Sequence, residues 1–504
     1  MLSKVSSCTV LGIEGQIIQV EVDIANGLPA FSTVGLPDSA IRESKDRVKA
    51  AVKNCGYDFP NKRITVNLAP ADIRKEGAGF DLPIAIGILE ASETFENTKI
   101  GQYCIIGELS LDGGIQKVNG VLPMILAAKA NGFKGIIIPQ DNEDEAKIAP
   151  DNIDVIPISS LPTVVEFLAG LQEIKVCPRS SGNDLSKTAD YSVDFSEIKG
   201  QQHAKRALEI AASGGHNVLL KGPPGSGKTM LARRYPTILP EMSLEEIVET
   251  TQIYSIGGRG GEIFATRPFR SPHHTISDAG LIGGGSIPKP GEVSLAHNGV
   301  LFLDEFPEFK KHVLEVLRQP MEDGEVTIAR ANMTLSFPAR FTLIAAMNPC
   351  PCGFKGDRLN ECNCTTNEIR KYEGKISGPL LDRIDLHLEV AALEYHEMSD
   401  TSRGESSKII KSRVDATRSI QRNRFIQERT VHCNGQMNTQ LVEKYCILGQ
   451  QSEKLLAKSV IKLGLSARSY HRILKISRTI ADMDQSTNIQ PPHVAEAIQF
   501  RRSG

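Results

Sequence analysis

The chain has 504 residues and a formal net charge of −2 at pH 7, which is long enough for about two to four domains that each bury a core. The near-neutral charge indicates no class of partner, because any nucleic-acid surface would have to be local. The start of the sequence lacks a signal-like apolar segment, and the longest apolar run, residues 121–128, is far too short to span a bilayer. The sequence therefore predicts a soluble cytoplasmic protein with no membrane partner, whose ten cysteines are reduced.

The front of the chain, residues 1–175, alternates short strand patterns with helical patterns, which predicts an α/β domain. The predicted elements are a strand at 16–24, a helix that starts at Leu36-Pro37-Asp38 and stops at Gly56, a strand at 63–68, a helix through 126–129 and a strand at 135–139.

Within this domain, the segments 69–83 and 107–115 resemble parts of the proteolytic domain of Lon proteases, which implies a ribosomal S5 domain 2-like fold. In that resemblance Ala78 stands at the position of the nucleophilic serine and Leu122 at the position of the lysine. Because both members of the Ser–Lys pair are missing, we expect a catalytically dead domain and not a protease. The remaining polar residues are expected to lie in a solvated loop, although they have the chemistry to bind a ligand: Asp72, Lys75 and Asp81.

A polar stretch with little apolar periodicity predicts a linker at residues 176–192. After it, the segment 194–201 and a helix at 204–212 resemble the adenine-contacting entry of AAA+ ATPases. That resemblance makes Ile198 and Gly200 candidates for contact with the base, and a plain helix N-terminus is the alternative.

Residues 217–229 run from an apolar strand into a glycine-rich turn that matches G-x-x-x-x-G-K-[ST] and opens a helix. Glycines are needed there because backbone N–H groups must wrap a polyphosphate closely. Lys228 is expected to reach the β- and γ-phosphates of ATP, and Thr229 to bind Mg²⁺. The expected nucleotide-binding residues of this loop are Gly222, Pro223, Pro224, Gly225, Ser226, Gly227, Lys228 and Thr229.

A second motif is the apolar strand at residues 300–303, which ends in Asp304 and Glu305. Asp304 is expected to bind the nucleotide and its Mg²⁺, and Glu305 to activate the attacking water. The stretch between the two motifs carries glycine clusters and the pair His273 and His274. Adjacent histidines are poorly placed to share one metal ion, so hydrogen bonding within the loop or phosphate contact is favoured over metal binding.

After the acidic strand, the pattern predicts a helix at 310–321 and a β-hairpin at 324–337 with its turn at Ala331-Asn332. A buried strand beginning at 340 then ends in Asn348, whose amide is expected to orient the attacking water. An ordinary turn-forming asparagine is the alternative.

Two C-x-C pairs follow, Cys350 with Cys352 and Cys362 with Cys364. Four soft ligands in a cytosolic chain are enough to close a tetrahedral zinc site, although structural sites more often use C-x₂-C pairs. The sequence therefore predicts one structural Zn²⁺, with reduced cysteines in a loop as the alternative.

Two arginines are candidates for contact with nucleotide charge. Arg383, at the end of a subunit, can complete the site of a neighbour in a ring, and a surface ion pair with Asp385 is the alternative. From residue 400 onward the pattern is helical and basic, which predicts a C-terminal lid. Within it Arg468, two residues after the cap-like Ser466, is the candidate that reaches the nucleotide, and a solvated basic helix face is the alternative.

Five motifs together resemble the YifB/ComM group of magnesium-chelatase-like AAA+ ATPases over essentially the whole chain. They are residues 222–229, 267–274, 295–305, 346–353 and 377–385. The resemblance implies an α/β protein with three parts: a chelatase-subunit-I and Lon-protease-like domain at 1–175, a central AAA+ P-loop αβα domain at 193–395 and a helical lid at 396–504.

The same resemblance implies a homo-hexameric ring that binds ATP and Mg²⁺, with a pore faced by an insert before the acidic strand and by the hairpin before Asn348. For the competence protein of the group it implies DNA helicase and branch-migration activity in natural transformation, with recombination proteins as partners. Four cations near these inserts suit sequence-independent contact with DNA phosphates through the pore: Arg270, His273, Lys289 and Arg330.

Two other classes of function stay open. One is a magnesium-chelatase motor that remodels a partner protein, against which the front domain and the cysteine pairs count. The other is an ATP-dependent protease of Lon type, against which Ala78 and Leu122 count. Stimulation of ATP hydrolysis by DNA, by a porphyrin-loaded partner or by unfolded protein distinguishes the three classes.

Overall fold

The structure is a computed structural model that describes residues 1–73, 75, 77–180, 191–285, 288–330, 333–357, 360–392, 404–428 and 431–501. Its contacts divide the chain into two compact units. The first unit contains residues 1–188, 243–265 and 329–337, and the second contains 189–242, 266–328 and 338–504. Most of the expected linker, and the expected boundary near residue 395, lie outside the described residues. Among the helices of the described residues, none has the length and apolar character to cross a bilayer.

The first unit combines two main sheets with helices. A four-stranded sheet has the order Leu2–Leu11, Glu14–Ala25, Arg63–Ala69 and Ala30–Val34, in which only the last pair is parallel. Three parallel strands form another sheet, Tyr103–Ile105, Gly135–Pro139 and Asp154–Ile158, and a two-stranded ribbon pairs Glu108–Leu109 with Ile115–Gln116. The helices are Ser39–Asn54, Asp81–Ala91, Val121–Ala130, Glu143–Ala146, Leu161–Leu168 and Leu244–Tyr254. The predicted elements of this α/β region are confirmed.

The helix Ser39–Asn54 shows how local sequence sets these elements. The carboxylate of Asp38 accepts the N–H of Ile41 at 2.9 Å and caps the helix start. Gly56, with φ of 84°, follows its end, a left-handed conformation that glycine adopts without strain. The buried side chains lie on one stripe and join the core of this unit.

The second unit is built on a five-stranded parallel sheet. Its order is Phe269–Arg270, Val300–Leu303, Thr342–Met347, Val218–Lys221 and Leu386–Glu389. Strands in such a sheet are covered on both faces, and the apolar residues of the three central strands are accordingly buried. Because all strands run in the same direction, the loops after them gather at one edge, where α/β proteins bind their ligands.

Helices surround this sheet and form the end of the chain. Those that precede residue 400 are Gln202–Gly214, Lys228–Arg234, Asp278–Ile282, Glu292–Leu295, Lys311–Glu315, Arg318–Asp323, Thr366–Glu373 and Gly378–Leu381. The helices after it are Ser407–Arg424, Thr439–Tyr445, Gln450–Leu463, Ala467–Met483 and Pro491–Gln499. The helical pattern predicted for the C-terminal region is confirmed, and Ser466 caps its helix by accepting the N–H of Ser469.

The single helix predicted at 310–321 is wrong in one respect, because the structure has two short helices, Lys311–Glu315 and Arg318–Asp323. Pro320 explains the break, since its ring excludes the carbonyl of Val316 from a continuous helix. The predicted hairpin strands are confirmed as Glu325–Arg330 and Met333–Pro338, and the predicted turn residues Ala331 and Asn332 lie outside the described residues.

The solvated loop expected for Asp72, Lys75 and Asp81 is wrong for two of its members. The side chain of Lys75 is fully buried and donates to the carbonyl of Pro70. Asp81 is also fully buried, and its carboxylate accepts from Nε of Arg47 at 2.7 Å. Both charges have protein partners, which is the condition under which a fold tolerates their burial.

Two segments that the sequence assigns to the ATPase core belong to the first unit, residues 243–265 and 329–337. The first of them is fastened there by polar bonds. Ser255 Oγ accepts the N–H of Gly120 at 2.8 Å, and the buried Glu145 accepts the N–H of Gly261 at 2.7 Å. These segments therefore belong to the same compact unit as the front domain although they follow the glycine-rich loop in sequence.

Candidate active site

The loop after the strand Val218–Lys221 has the shape of an open cradle. Gly225 and Gly227 adopt φ of 77° and 90°, and a Cβ added at either position would meet open space. Gly222 is needed for a different reason, because a Cβ there would lie 2.1 Å from the carbonyl oxygen of Val390. The buried hydroxyl of Ser226 has no hydrogen-bond partner within the described part of the chain. An unpaired hydroxyl donor beside open space fits a polyphosphate ligand.

Lys228 begins the helix after this cradle, and its ammonium is held among oxygen atoms. Nζ donates to the carbonyls of Gly222 at 2.7 Å and Pro223 at 2.8 Å, and to Oδ1 of Asn348 at 3.3 Å. Burial lowers the pKa of Lys228, and nearby Asp304 opposes that shift. The loop's own carbonyls thus occupy the donors that a phosphate group would otherwise accept from.

Thr229 lies next on the helix, and its hydroxyl donates to Oδ2 of Asp304 at 2.8 Å. Asp304 follows the strand Val300–Leu303, so two motifs that the sequence predicted from separate stretches meet here. A hydroxyl and a carboxylate are hard oxygen donors of the kind that Mg²⁺ prefers. These residues therefore fit the Mg²⁺ that the motifs imply.

Glu305 stands beside this pair with an unusual backbone. Its φ is 51° and its ψ is 44°, a left-handed conformation that is rare outside glycine and that clusters at functional sites. Its side chain is 59% exposed, and one carboxylate oxygen lies 3.1 Å from Nδ1 of His274. The carboxylate is therefore accessible, and the backbone of Glu305 is bonded to Asp304, which fits the general base that the sequence predicts.

The contact between His274 and Glu305 was missed by sequence reasoning. His274 follows the strand Phe269–Arg270, which pairs in parallel with the acidic strand, so the two loops leave the sheet side by side. His273 bonds within its own loop, at 2.9 Å to Oγ1 of Thr275, which supports the hydrogen-bonding interpretation. Among the described residues, the histidines join no group of metal-binding side chains.

Asn348 follows the strand Thr342–Met347, the central neighbour of both motif strands. The bond of its amide oxygen to Lys228 places it at the same sheet edge as the phosphate loop. Its backbone is held in turn by the hydroxyl of Tyr372, whose pKa burial raises to about 12. This position suits an amide that contacts a terminal phosphate or a water molecule.

Arg383 and Arg468 have a different environment. Arg383 is only 4% exposed, donates to the carbonyl of Pro379 at 2.7 Å and pairs with Glu322. The pKa of Glu322 is lowered, first by its hydrogen bond from Arg383 and to a smaller extent by the charge of Arg468. Glu322 is therefore paired with Arg383, and the charge of Arg468 acts on the same carboxylate.

The surface pair between Arg383 and Asp385, the alternative for this arginine, is wrong. Asp385 is 4% exposed, accepts the N–H of Asn217 at 3.0 Å and pairs with Arg472. Burial alone would raise its pKa, but Arg472 and His216 outweigh burial and hold the pKa of Asp385 well below its usual range. This carboxylate anchors the end of the sheet and does not serve Arg383.

The lead-in residue Ile198 is 3% exposed and packs in the core of the second unit. Its side chain is therefore engaged in the core, so only its backbone is left for contact with a base. Gly200, with φ of 55°, stands two residues later at the turn into the helix Gln202–Gly214.

The four cysteines after Asn348 converge on one point. All four Sγ atoms lie within 4.8 Å of one another, and the Cys350–Cys352, Cys352–Cys362 and Cys350–Cys362 pairs are 3.4, 3.6 and 3.7 Å apart. These separations are too long for a disulfide, whose sulfur atoms are bonded at about 2.05 Å. A Zn²⁺ ion bound at about 2.3 Å by four sulfurs would place them about 3.8 Å apart. The cluster therefore fits a tetrahedral zinc ion.

Family models match most of the chain. The model described as magnesium chelatase, subunit ChlI, matches residues 194–398. Subunit ChlI of Mg-chelatase matches residues 20–142, and magnesium chelatase, subunit ChlI C-terminal, matches residues 404–501.

Curated relatives extend this similarity to the full length. The competence protein ComM of Haemophilus influenzae is 45% identical over 507 residues, which cover 99% of this chain and 97% of that protein. The uncharacterized protein YifB of Escherichia coli is 43% identical over 504 residues, with the same coverage of 99% and 97%. The magnesium-chelatase 38 kDa subunit of Rhodobacter capsulatus is 26% identical over 216 residues, or 39% of this chain and 55% of that subunit.

Proposed function

Because the chain belongs to the YifB/ComM family of magnesium-chelatase-like AAA+ ATPases, we propose that it is a Mg²⁺-dependent ATPase motor that acts on DNA. The ATPase activity in this proposal rests on one observation, which is that side chains from the ends of three strands contact one another. Lys228 is bonded to the phosphate loop and to Asn348, while Thr229 is bonded to Asp304. Groups from three separate strands converge where the terminal phosphates of ATP would lie.

The roles of the individual groups follow from their chemistry. The glycine cradle and Ser226 bind phosphate oxygens, and Lys228 exchanges its bonds to loop carbonyls for bonds to the β- and γ-phosphates. Thr229 and Asp304 would hold Mg²⁺, which would neutralise negative charge on the phosphates. Glu305 takes the proton of the attacking water, and Asn348 orients that water or the γ-phosphate.

The proposed assembly is a homo-hexameric ring. Arg383 exchanges its partner Glu322 for a nucleotide phosphate when a neighbouring subunit moves, and the exposed Arg468 reaches the nucleotide when the helical lid moves. Both movements place arginine charge where the transition state needs it. The pairing with Glu322 holds the side chain of Arg383 while the nucleotide is absent.

The DNA part of the proposal draws on the competence protein among the relatives and on exposed cations. Arg330 at the end of its hairpin strand and Lys289 are both exposed. Arg270 is the weaker candidate, because Glu292 accepts from its guanidinium in two bonds of 2.6 Å. Cations that meet phosphates without reading bases give sequence-independent, salt-sensitive binding. ATP-driven translocation through the ring would then unwind or branch-migrate joint molecules in the cytoplasm, alongside recombination proteins.

ATP hydrolysis with and without DNA tests this function. We expect DNA to stimulate hydrolysis at low salt, and Arg330→Ala to retain the DNA-free rate while losing the stimulation and strand displacement. The variant should lower the slope of log affinity against log salt by about one. Arg42→Ala is the matched control, because it removes another exposed arginine of the first unit.

Hydrolysis that no DNA stimulates would contradict the DNA motor. Stimulation by a porphyrin-loaded partner instead would favour the chelatase-type motor, the second candidate, for which the similarity to the 38 kDa chelatase subunit speaks.

The proposal also assigns one structural Zn²⁺ to Cys350, Cys352, Cys362 and Cys364, whose spacing matches four thiolates around one ion.

A further inference from the structure

We propose that the metal held by the four cysteines sets the geometry of the nucleotide site, so that ATP binding and hydrolysis depend on metal occupancy. This inference rests on the proposed ATPase function and on the zinc assignment. It adds a regulatory link between them, which is argued from three contacts between the segment that carries the cysteines, residues 350–373, and the residues of the nucleotide site.

The first contact joins the cluster to the phosphate loop. Gly353 follows Cys352 directly and donates its N–H to the carbonyl of Cys350 at 3.0 Å, which closes a tight turn around the sulfur atoms. A Cβ at Gly353 would lie only 2.7 Å from Cδ of Pro224 in the phosphate loop. The backbone of the cysteine turn is therefore packed against the loop that must wrap the phosphates, and a shift of one moves the other.

The second contact involves Asn348, which lies two residues before Cys350. The second cysteine pair leads directly into the helix Thr366–Glu373, which Thr365 caps. Tyr372 on this helix bonds to the backbone of Asn348. A metal ion bound by both Cys350 and Cys364 thus closes a loop. One end of this loop lies two residues after Asn348, and the other leads into the helix that carries Tyr372, so both ends hold Asn348 in position.

The third contact reaches the strand before the phosphate loop. Glu373, at the end of the same helix, accepts from Nζ of Lys221 at 3.1 Å and lies 3.9 Å from Nζ of Lys355 in the cysteine segment. Lys221 is the last residue of the strand Val218–Lys221. The cluster is consequently tied to the phosphate loop from both sides.

Backbone N–H groups donate to two of the sulfur atoms, from Lys355 to Cys350 at 3.3 Å and from Cys352 to Cys364 at 3.4 Å. These bonds fix sulfur atoms that face one another, and four adjacent thiolates need a divalent ion to balance their charge.

The test uses the full-length protein purified without a histidine tag. We expect about one zinc per chain by elemental analysis, and tetrahedral thiolate spectra after exchange with Co²⁺. Cys362→Ser should lose the metal, and its ATP affinity and turnover should fall by about 10- to 100-fold, as outer contacts of a built site usually cost. Cys55→Ser is the matched control, since Cys55 is a free cysteine of the first unit.

Two further measurements guard against simple misfolding of the variant. Cys362→His keeps a zinc ligand and should restore both the metal and turnover. In the second measurement, a chelator and a thiol-binding mercurial remove zinc from the parent protein, and binding of a fluorescent ATP analogue should then be lost. Quenching the mercurial and adding zinc back should restore that binding.

The possible outcomes separate the proposals. Parent protein that binds neither zinc nor Co²⁺ overturns the inference and the zinc assignment. Metal-free Cys362→Ser that binds and hydrolyses ATP like the parent overturns the link while leaving the ATPase intact. Parent protein that carries zinc but fails to hydrolyse ATP defeats the proposed function, and analogue binding with and without metal still decides the link.

Discussion

Two buried lysines, one in each unit, show what distinguishes a binding site from an ordinary buried charge. Lys75 in the first unit and Lys228 in the second are both buried, and burial lowers the pKa of each. Each ammonium donates to backbone carbonyls of its own loop. Burial and pKa therefore do not separate the two residues.

The surroundings of the two lysines distinguish them. The backbone of Lys75 is bonded in both directions, its N–H to Leu36 at 3.3 Å and its carbonyl to Asp38 at 3.1 Å. Around Lys228, by contrast, two glycines border open space and the hydroxyl of Ser226 is unpaired within the described residues. The ammonium and the backbone of Lys75 are all hydrogen-bonded within the protein, whereas Lys228 lies beside a hydroxyl that still lacks a partner in the part of the chain that the structure describes.

One carboxylate in each unit, Asp81 and Asp304, shows the same difference. Asp81 is fully buried and accepts two bonds from Arg47, at 2.7 and 3.1 Å, as well as the N–H of Leu109 at 3.4 Å. Asp304 is half-buried and accepts from the hydroxyl of Thr229 at 2.8 Å and from the N–H of Glu305 at 3.0 Å. The first carboxylate is saturated by a cation of its own chain, and the second keeps lone pairs that fit the proposed metal ion.

The largest effect is expected when each of the two lysines is replaced by an uncharged residue. Lys228→Ala should abolish detectable ATP binding, because the β- and γ-phosphates lose charged hydrogen bonds worth about 1.5–3 kcal/mol each. Lys75→Met should leave ATP affinity unchanged and lower the free energy of unfolding by about 1–3 kcal/mol, since the carbonyl of Pro70 loses its donor. Titration with a fluorescent ATP analogue and urea unfolding measure the two effects. Weaker ATP binding by Lys75→Met would break the comparison.

A smaller effect is expected at Glu305, where binding and chemistry should separate. Glu305→Gln keeps the shape of the side chain and removes the base, so turnover should fall by about 10²- to 10⁴-fold while ATP affinity stays close to that of the parent. Steady-state kinetics together with analogue binding measure this. His274→Ala is an informative companion, because it removes the contact to Glu305 without touching the phosphate loop. Normal turnover by Glu305→Gln would refute its role as the base.

The smallest effect concerns a buried histidine of the structural kind. Burial, and then the charge of Arg501, lower the pKa of His387 to about 4. An unfolded histidine titrates near about 6.5, so the unfolded chain binds the proton first. The stability that His387 contributes is complete above about pH 6.5 and is lost as the pH falls towards about 4, a loss of about 3 kcal/mol.

His387→Gln should therefore reduce the fall in unfolding free energy between pH 7 and pH 4 by about that amount, with ATP affinity at pH 7 unchanged. Urea unfolding at a series of pH values measures the slope. Because burial also lowers the pKa of His216, part of the slope should remain in the variant. An identical slope in parent and variant would show that His387 does not titrate as its burial requires.

Much of the site could be predicted because its motifs are local. The phosphate loop is predicted from eight consecutive residues, and Asp304, Glu305 and Asn348 follow short apolar runs of the length typical of buried strands. The strand Leu2–Leu11 escaped prediction because its serines and threonine resemble a polar tail, and they become buried only through pairing with Glu14–Ala25.

The sequence by itself therefore determined which residues have the chemistry to bind phosphate or Mg²⁺ and which supply thiolates, because these properties depend on residue type and short spacing. The tertiary structure decided which of these residues meet. Lys228 and Asn348 are 120 positions apart, His274 reaches Glu305 from a neighbouring strand, and the segment 243–265 packs in the first unit. Such contacts depend on strand order and on burial of the whole chain, and local sequence patterns carry no information about either.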